Sequence, residues 1–167
     1  MNGVVNLQTG NPLNIYSFNP LSGGTQRPDI RGNPRSQYSV QDVVDGKGNY
    51  FNVNLSALEC SDPNAAAICA PPAQETGNAP RFFSDLRNPW YHSWDMSVFK
   101  NFRLWEGAEL QLRGEFFNFT NSPVFRIGNG YYTSQFDQLV LGKPSFGTIN
   151  STRVNPRQFQ LGIRFVF

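Results

Sequence analysis

The feature that most constrains the fold is a two-residue alternation of apolar and polar side chains. Even positions are mostly apolar and odd positions mostly polar, first over 91–104, with Lys100 and Phe99 as exceptions, and again over 108–116 within a second segment, 108–119. Successive side chains of a β-strand point to opposite faces of the sheet. The pattern therefore predicts two amphipathic strands at about these positions.

Parity constrains the turn between these two strands. Because both apolar sets are even-numbered, the numbers of facing residues must add to an even number if the two sets are to share a face. A loop of residues 105–107 meets this condition, pairs Leu104 with Ala108 and places Gly107 at a positive φ. The other cross-strand pairs predicted by this register are Met96 with Phe116, Phe102 with Leu110, and Arg103 with Glu109.

Two further strands are predicted at about 3–9 and 157–167, and long connections separate them from the central pair. The first connection, 10–90, is rich in Asn, Pro, Gly and Ser and offers at most short strands such as 50–55. The second is 120–156. A compact domain seldom contains a connection of the first one's length, so it indicates either a functional loop on a rigid scaffold or a chain that is not self-contained.

The fold class predicted from these features is all-β, namely antiparallel strands of an outer-membrane β-barrel. Charged residues are only 16% of the chain, against roughly 25% in ordinary soluble domains, yet no apolar run approaches the ~20 residues of a membrane helix. Amphipathic strands, one tight turn and large loops on the other rim are typical of such a barrel. Membrane barrels start at about eight strands, so these four are expected to form an incomplete barrel with two long extracellular loops, the end of a larger protein. A soluble β-sandwich remains the alternative, because alternation alone does not exclude it.

A membrane barrel assigns roles to the aromatic and polar side chains of the strands. Aromatic residues form girdles at the two membrane interfaces, and polar residues line the lumen. The predicted girdle residues are Trp90, Tyr91 and Trp94 on the long-loop side and Trp105, Phe165 and Phe167 on the short-turn side. The predicted lumen-facing residues are Asp95, Arg103, Glu109, Arg113 and Glu115.

The two cysteines, Cys60 and Cys69, lie within the first long connection. Their spacing does not suit a zinc knuckle, and His92 is the one histidine of the chain. A local disulfide in an oxidising compartment is the favoured interpretation, with two free thiols as the alternative.

Composition argues against several classes of function. The net charge of +2 comes without a run of Lys or Arg, so no nucleic-acid partner is expected. His92 lies on the apolar face of its strand, where an interfacial role fits better than catalysis. The chain is therefore predicted not to be an enzyme, and no cofactor or metal is expected.

Several motifs resemble the C-terminal end of TonB-dependent receptors, most closely the Oar-like, acidobacterial group with a carboxypeptidase-regulatory-like N-terminal domain. The motifs are Gly77-Asn78-Ala79-Pro80-Arg81, Asn88-Pro89-Trp90, the stretch 94–102, the stretch 112–123, Phe146-Gly147-Thr148-Ile149 and Asn155-Pro156-Arg157-Gln158. The resemblance implies a barrel of roughly 22 strands closed by a plug, which imports a bound ligand across the outer membrane. The sequence shows no plug domain, so contact with the TonB complex is expected only through missing N-terminal parts.

The closing strand resembles the signal by which the barrel assembly machinery recognises outer-membrane proteins. Its alternating apolar residues are Phe159, Leu161, Ile163, Phe165 and Phe167. An unpaired final strand offers backbone hydrogen bonds to an open sheet edge, and its apolar face selects the side that meets lipid. The expected partners are this machinery and the lipid bilayer of the outer membrane, and the alternative function is a soluble all-β binding module, such as a carbohydrate-binding sandwich or an adhesin.

Overall fold

The computed structural model describes residues 1–19, 21–128 and 136–167 of the chain. The predicted connections include residues 20 and 129–135, which lie outside the described residues. The elements in chain order are β1 (Asn2–Gln8), β2 (Tyr16–Phe18), β3 (Thr25–Gln26), β4 (Asp29–Ile30), α1 (Val40–Val44), β5 (Ile68–Cys69), β6 (Tyr91–Trp105), β7 (Ala108–Phe117), β8 (Phe125–Arg126), a 3-10 helix (Phe136–Leu139), β9 (Val140–Leu141), β10 (Ser151–Thr152) and β11 (Gln158–Val166). The protein is nearly all-β.

The chain divides into two compact units. Unit 1 contains residues 1–9, 90–124 and 152–167, and unit 2 contains residues 10–89 and 125–151. Each unit is thus assembled from segments that are separated in the sequence.

Unit 1 is built on one four-stranded antiparallel sheet with the order β1-β6-β7-β11. The closing strand β11 pairs with β7 along its whole length. In the part of the chain that the structure describes, β1 and β11 are the outer strands of this sheet, so these strands do not close a barrel. In the described ranges, no helix has the length and apolar character needed to cross a membrane.

The two long connections join the strands at the same end of the sheet. The end of β1 pairs with the start of β6, and the end of β7 pairs with the start of β11. The turn between β6 and β7 lies at the opposite end. The sheet therefore has one rim with a tight turn and one rim from which both long segments leave.

The predicted register of the central hairpin is confirmed except beside the turn. Met96 faces Phe116, Phe102 faces Leu110, Arg103 faces Glu109, and Gly107 has a φ of 85°. The pairing of Leu104 with Ala108 is wrong, because the residue facing Ala108 is Trp105 and the register shifts between Arg103 and Trp105. The extra residue that parity requires is therefore a β-bulge at Leu104 instead of a third loop residue, and a bulge meets the same condition.

Strand β7 ends at Phe117, two residues earlier than the predicted boundary of 119. The cause is Asn118, which has a φ of 49°, a left-handed conformation that breaks the extended backbone. Asn121 has a φ of 51° and continues the turn. Asn tolerates this region better than other non-glycine residues, because its short side chain bonds to the nearby backbone.

Most of the predicted long connection over 10–90 belongs to unit 2. This segment and residues 125–151 share one hydrophobic core, in which the rings of Phe51 and Phe146 have centroids 4.9 Å apart. The fully buried apolar residues of the core include Ile15, Phe51, Ile68, Leu86, Ile127 and Phe146. They show no regular period in the sequence, because only Ile68 lies in a strand and the others belong to the irregular segments between the short elements.

Short elements and local caps organise unit 2. β2 pairs with β3 on one side and with β9 on the other, and β4 pairs with β5. The predicted short strand at 50–55 is wrong: within it, only Phe51 forms an isolated bridge, to Arg35. Helix α1 begins at a capping box in which Ser39 and Asp42 each bond the other's backbone N–H.

Candidate functional site

The four-stranded sheet of unit 1 presents one apolar face. The closing strand places Phe159, Leu161, Ile163 and Phe165 opposite Phe116, Gly114, Leu112 and Leu110, respectively. Val5 and Leu7 of β1 continue this face opposite Trp94 and His92. Leu161 and Ile163 keep 74% and 75% of their surface exposed, and Phe167, one residue beyond β11, keeps 95%. A contiguous exposed apolar surface of this kind marks a membrane or protein contact.

The bulge at Leu104 places Trp105 on the apolar face. A strand without a bulge would put Trp105 on the side of Arg103, but the shift sets it opposite Ala108. Its ring centroid lies 5.9 Å from that of Phe165, which is 5.8 Å from Phe167. The predicted short-turn girdle residues are therefore brought together in one aromatic cluster.

The aromatic residues of the opposite rim are less tightly grouped. Tyr91 and Trp94 belong to β6, and Trp90 immediately precedes it. Trp90 and Trp94 are exposed, and the guanidinium of Arg153 lies 4.6 Å above the centroid of the Tyr91 ring. This end of the sheet thus offers amphipathic rings of the type that favours a membrane interface.

The opposite face of the sheet has the predicted polar residues. Arg103 and Glu109 face each other across β6 and β7, and Arg113 and Glu115 lie further along β7. The guanidinium of Arg113 forms an ion pair with the Glu115 carboxylate, with an N–O distance of 2.6 Å. Gln111 donates a hydrogen bond of 2.9 Å to the side-chain oxygen of Asn101 on the same face. The face is a ladder of mostly polar groups, and its apolar members include Phe99 opposite Arg113, Val166 opposite Glu109 and Val4 opposite Asp95.

Asp95, also predicted to face the lumen, has a specific structural partner that the sequence did not reveal. Its carboxylate accepts a hydrogen bond of 2.9 Å from the backbone N–H of Asn118. The Asn118 side chain is buried and donates to the carbonyl oxygens of Ser122 and Asn155. The left-handed preference of Asn was the available signal, and these bonds tie the end of β7 to the chain just before β11.

The two cysteines form a disulfide bond in unit 2. Cys60 and Cys69 are both buried, and their sulfur atoms are 2.06 Å apart. Cys69 belongs to β5 and faces Asp29 of β4. The bond closes a short loop and joins it to the core of the unit.

Unit 2 also has an open polar cleft of about 570 Å³, named here the Tyr38 cleft. It is lined by Asn33, Arg35, Ser36, Gln37, Tyr38, Asn49, Phe51, Asn52 and Val53. The guanidinium of Arg35 lies 3.5 Å above the centroid of the Tyr50 ring and donates to the carbonyl oxygens of Tyr50 and Tyr38 at 2.8 and 3.1 Å. Sequence reasoning missed this cleft, because no linear motif joins the two stretches that form it.

Two places in unit 2 shift the pKa of a side chain, one around Tyr50 and one around helix α1. Burial raises the pKa of the Tyr50 phenol, and the nearby charge of Arg35 opposes this shift in part. At the surface, hydrogen bonds from Ser39 lower the pKa of Asp42, and those from Gln41 and Lys47 lower the pKa of Asp45. Among the described residues, no group of three or more His, Cys, Asp or Glu side chains is arranged to hold a metal ion.

Comparison with known proteins places this architecture in a family. The model of the family described as outer membrane beta barrel domain matches residues 1–160. The chain belongs to this family, and the protein is located in the outer membrane. No curated protein and no solved structure matches the chain significantly.

Proposed function

We propose that this chain is the C-terminal barrel segment of a TonB-dependent outer-membrane receptor, which imports a ligand across the outer membrane. The observation that carries the proposal is the amphipathic four-stranded sheet of a protein from an outer-membrane barrel family. The finer assignment is supported by the resemblance of the motifs around Trp94 and Asn118 to such receptors.

In this proposal the two faces of the sheet have different surroundings. The apolar face meets lipid, and the polar ladder of Arg103, Glu109, Arg113 and Glu115 lines the lumen. The aromatic rings at the two ends of the strands lie at the two membrane interfaces. The energy for import comes from the inner membrane through parts of the receptor outside residues 1–167.

The closing strand has a second role in this proposal, as the signal read by the barrel assembly machinery. The backbone of β11 pairs with β7 on one side only, within the described residues, and its apolar side chains are exposed. Such an edge can pair with an open strand of the machinery, and the apolar residues then determine which face of β11 meets lipid. The other function considered, a soluble binding module, does not agree with membership of an outer-membrane family.

The test is ligand uptake by cells that express the complete reading frame of the receptor. We expect uptake to stop when the TonB gene is deleted and to return when TonB is supplied again. The purified receptor in a planar bilayer should show no steady conductance, because a plug closes the barrel. A steadily open pore, or uptake that is unaffected by the loss of TonB, would show a passive channel instead.

A matched pair of variants tests the faces of the sheet in the same cells. Leu161→Lys places a charge on the apolar face, whereas Gln160→Lys places it on the polar face beside Glu115. A lysine at the lipid face costs about 2–4 kcal/mol near the membrane centre, but a charge in the lumen is tolerated. The amount of receptor in the outer membrane should therefore fall for Leu161→Lys and stay near the parent level for Gln160→Lys.

A further inference from the structure

The Tyr38 cleft has the size of a small-ligand site. Its volume of about 570 Å³ lies within the roughly 300–1,000 Å³ of pockets that bind small molecules. It lies entirely within unit 2, so its shape depends only on that unit.

Several polar groups at the cleft have no protein partner among the described residues. The Gln37 amide and the Tyr38 hydroxyl make no hydrogen bond there, and both side chains are exposed. The Asn52 amide group donates to the carbonyl of Asn33, which leaves its side-chain oxygen as a free acceptor. Together these groups offer both donors and acceptors, which is what hydroxyl groups of a ligand require.

The charge of the cleft indicates that the ligand is neutral. None of its nine lining residues is acidic, and Arg35 is the one cation among them. The guanidinium of Arg35 is held by two backbone carbonyls and stacks on the Tyr50 ring. This cation is therefore engaged in the structure of the unit, so it is a poor anchor for a bidentate anion.

An aromatic ring is fixed at the edge of the cleft. The Tyr38 ring packs against Gly48 so closely that a Cβ at position 48 would lie 2.3 Å from it. One face of the ring is thereby covered, and 37% of the residue remains exposed. A rigid, half-exposed ring next to amide side chains suits a flat, hydroxylated ligand with an apolar C–H face.

A second cleft adjoins the first. Its volume is about 370 Å³, and Asn33 and Arg35 line both clefts. The second cleft adds Pro80 and Phe82, and the side chain of Phe82 is 54% exposed. The two clefts, which share the lining residues Asn33 and Arg35, are together named the Tyr38 groove, and among the described residues the one acidic residue that lines it is Asp85 in the second cleft.

We propose that this groove binds a neutral oligosaccharide, with one sugar ring stacked on Tyr38 and its hydroxyl groups bonded to Gln37 and Asn52. A further sugar ring reaches Phe82 in the second cleft. The inference deepens the proposed function by naming the class of ligand, and it rests on that function only for the statement that the bound sugar is imported.

The test is calorimetric titration of the complete receptor with neutral di- and tetrasaccharides of glucose and N-acetylglucosamine. Tetragalacturonate serves as the charged probe of matched length. At least one neutral series should bind saturably, with the tetrasaccharide tighter than the disaccharide and tetragalacturonate weaker. Tyr38→Ala should weaken binding about tenfold, and Phe82→Ala should weaken the tetrasaccharide more than the disaccharide.

Milder and remote variants separate loss of the site from loss of the fold. Tyr38→Phe keeps the ring and should weaken binding less than Tyr38→Ala. Gly48→Ala displaces the Tyr38 ring without removing the ring from the chain, and it should also weaken binding. Gln37→Ala should weaken binding, but Gln74→Ala, a matched loss of an exposed amide elsewhere in unit 2, should not. Phe18→Ala is the corresponding control for an exposed aromatic residue.

The absence of saturable binding by every neutral probe would overturn the inference. Binding that Tyr38→Phe, Gln37→Ala and Gly48→Ala all leave unchanged would overturn it as well. Tighter binding of tetragalacturonate than of any neutral probe would show an anion site. TonB-dependent uptake of another ligand without sugar binding would refute only this inference, whereas sugar binding without such uptake would refute only the proposed function.

Discussion

At the scale of single residues, this protein uses polar side chains to replace missing backbone pairing. Asn118 and Asp95 close the end of β7 in unit 1. In unit 2, where regular strands are two or three residues long, Arg35 and Tyr50 serve the same purpose. Buried polar groups are costly without partners, so each of these side chains stabilises its unit by satisfying backbone carbonyl or N–H groups.

Tyr50 gives unit 2 a distinct response to alkaline pH. Burial raises its pKa above the ordinary 10.0, so the unfolded chain loses the phenolic proton at a lower pH than the folded chain. The stabilisation is complete below about pH 10 and decreases as the pH rises through the folded pKa. We expect the free energy of unfolding of unit 2, measured by pulse proteolysis in urea, to fall more steeply above about pH 10 in the parent than in Tyr50→Phe.

The Tyr50→Phe variant also separates this titration from the loss of a hydrogen bond. The Tyr50 hydroxyl donates to the carbonyl oxygen of Arg87 at 2.6 Å. Losing that bond should lower stability by about 1 kcal/mol at every pH below the titration. Parallel pH profiles for the parent and the variant would show that the Tyr50 phenol does not titrate differently in the two states.

At the scale of elements, the hairpin of β6 and β7 shows what the sequence could and could not predict. The strands and their register followed from the two-residue period, because that pattern is a local property of the chain. The bulge at Leu104 was missed because parity can be met by a loop residue or by a bulge. Unit 2 was missed because its core joins Phe51 to Phe146, which are far apart in the sequence, and the Tyr38 cleft was missed with it.

The turn of this hairpin depends on the backbone of Gly107. Its φ is 85°, and a Cβ at this position would meet no atom within 4 Å. The cost of Gly107→Ala is therefore a backbone cost, about 1–2 kcal/mol for an L-residue in this conformation. The three tryptophans of the chain lie in unit 1. Their fluorescence during urea unfolding of the receptor in detergent should therefore report the loss of stability caused by Gly107→Ala.

A glycine within a strand provides the control. Gly162 lies in β11 without a positive φ, and the nearest atom to a Cβ there is 3.9 Å away. Gly162→Ala should therefore be neutral or slightly stabilising, because alanine loses less entropy in a strand. Gly107→Asn should cost less than Gly107→Ala, since asparagine tolerates the left-handed region. Equal losses for the two alanine variants would contradict the role given to the turn.

At the scale of the whole molecule, the chain alternates between its two units. It leaves unit 1 after residue 9, returns at residue 90, leaves again after residue 124 and returns at residue 152. Unit 2 cannot complete its core until both of its segments are present, since Phe146 belongs to the second. Strand β11 follows this second segment, so the other elements of both units precede it in the chain.

This order gives the closing residues a testable part in assembly. Phe167 is 95% exposed and continues the apolar face of β11, whereas Val166 faces Glu109 on the polar face. Deleting Phe167 from the intact receptor removes the last apolar side chain and the terminal aromatic ring that the assembly machinery is proposed to read. We expect total synthesis to stay similar while the fraction inserted in the outer membrane drops, as measured by membrane fractionation and protease accessibility.

Two substitutions distinguish recognition of the ring from a general need for an apolar end. Phe167→Tyr should be mild, because an amphipathic ring still suits the membrane interface. Val166→Ser should matter little, since its side chain lies on the polar face. If deletion of Phe167 leaves insertion unchanged, the proposed signal is wrong. If Val166→Ser lowers insertion more than Phe167→Tyr, the lipid and lumen faces of β11 must be exchanged, and with them the assignment of the whole sheet.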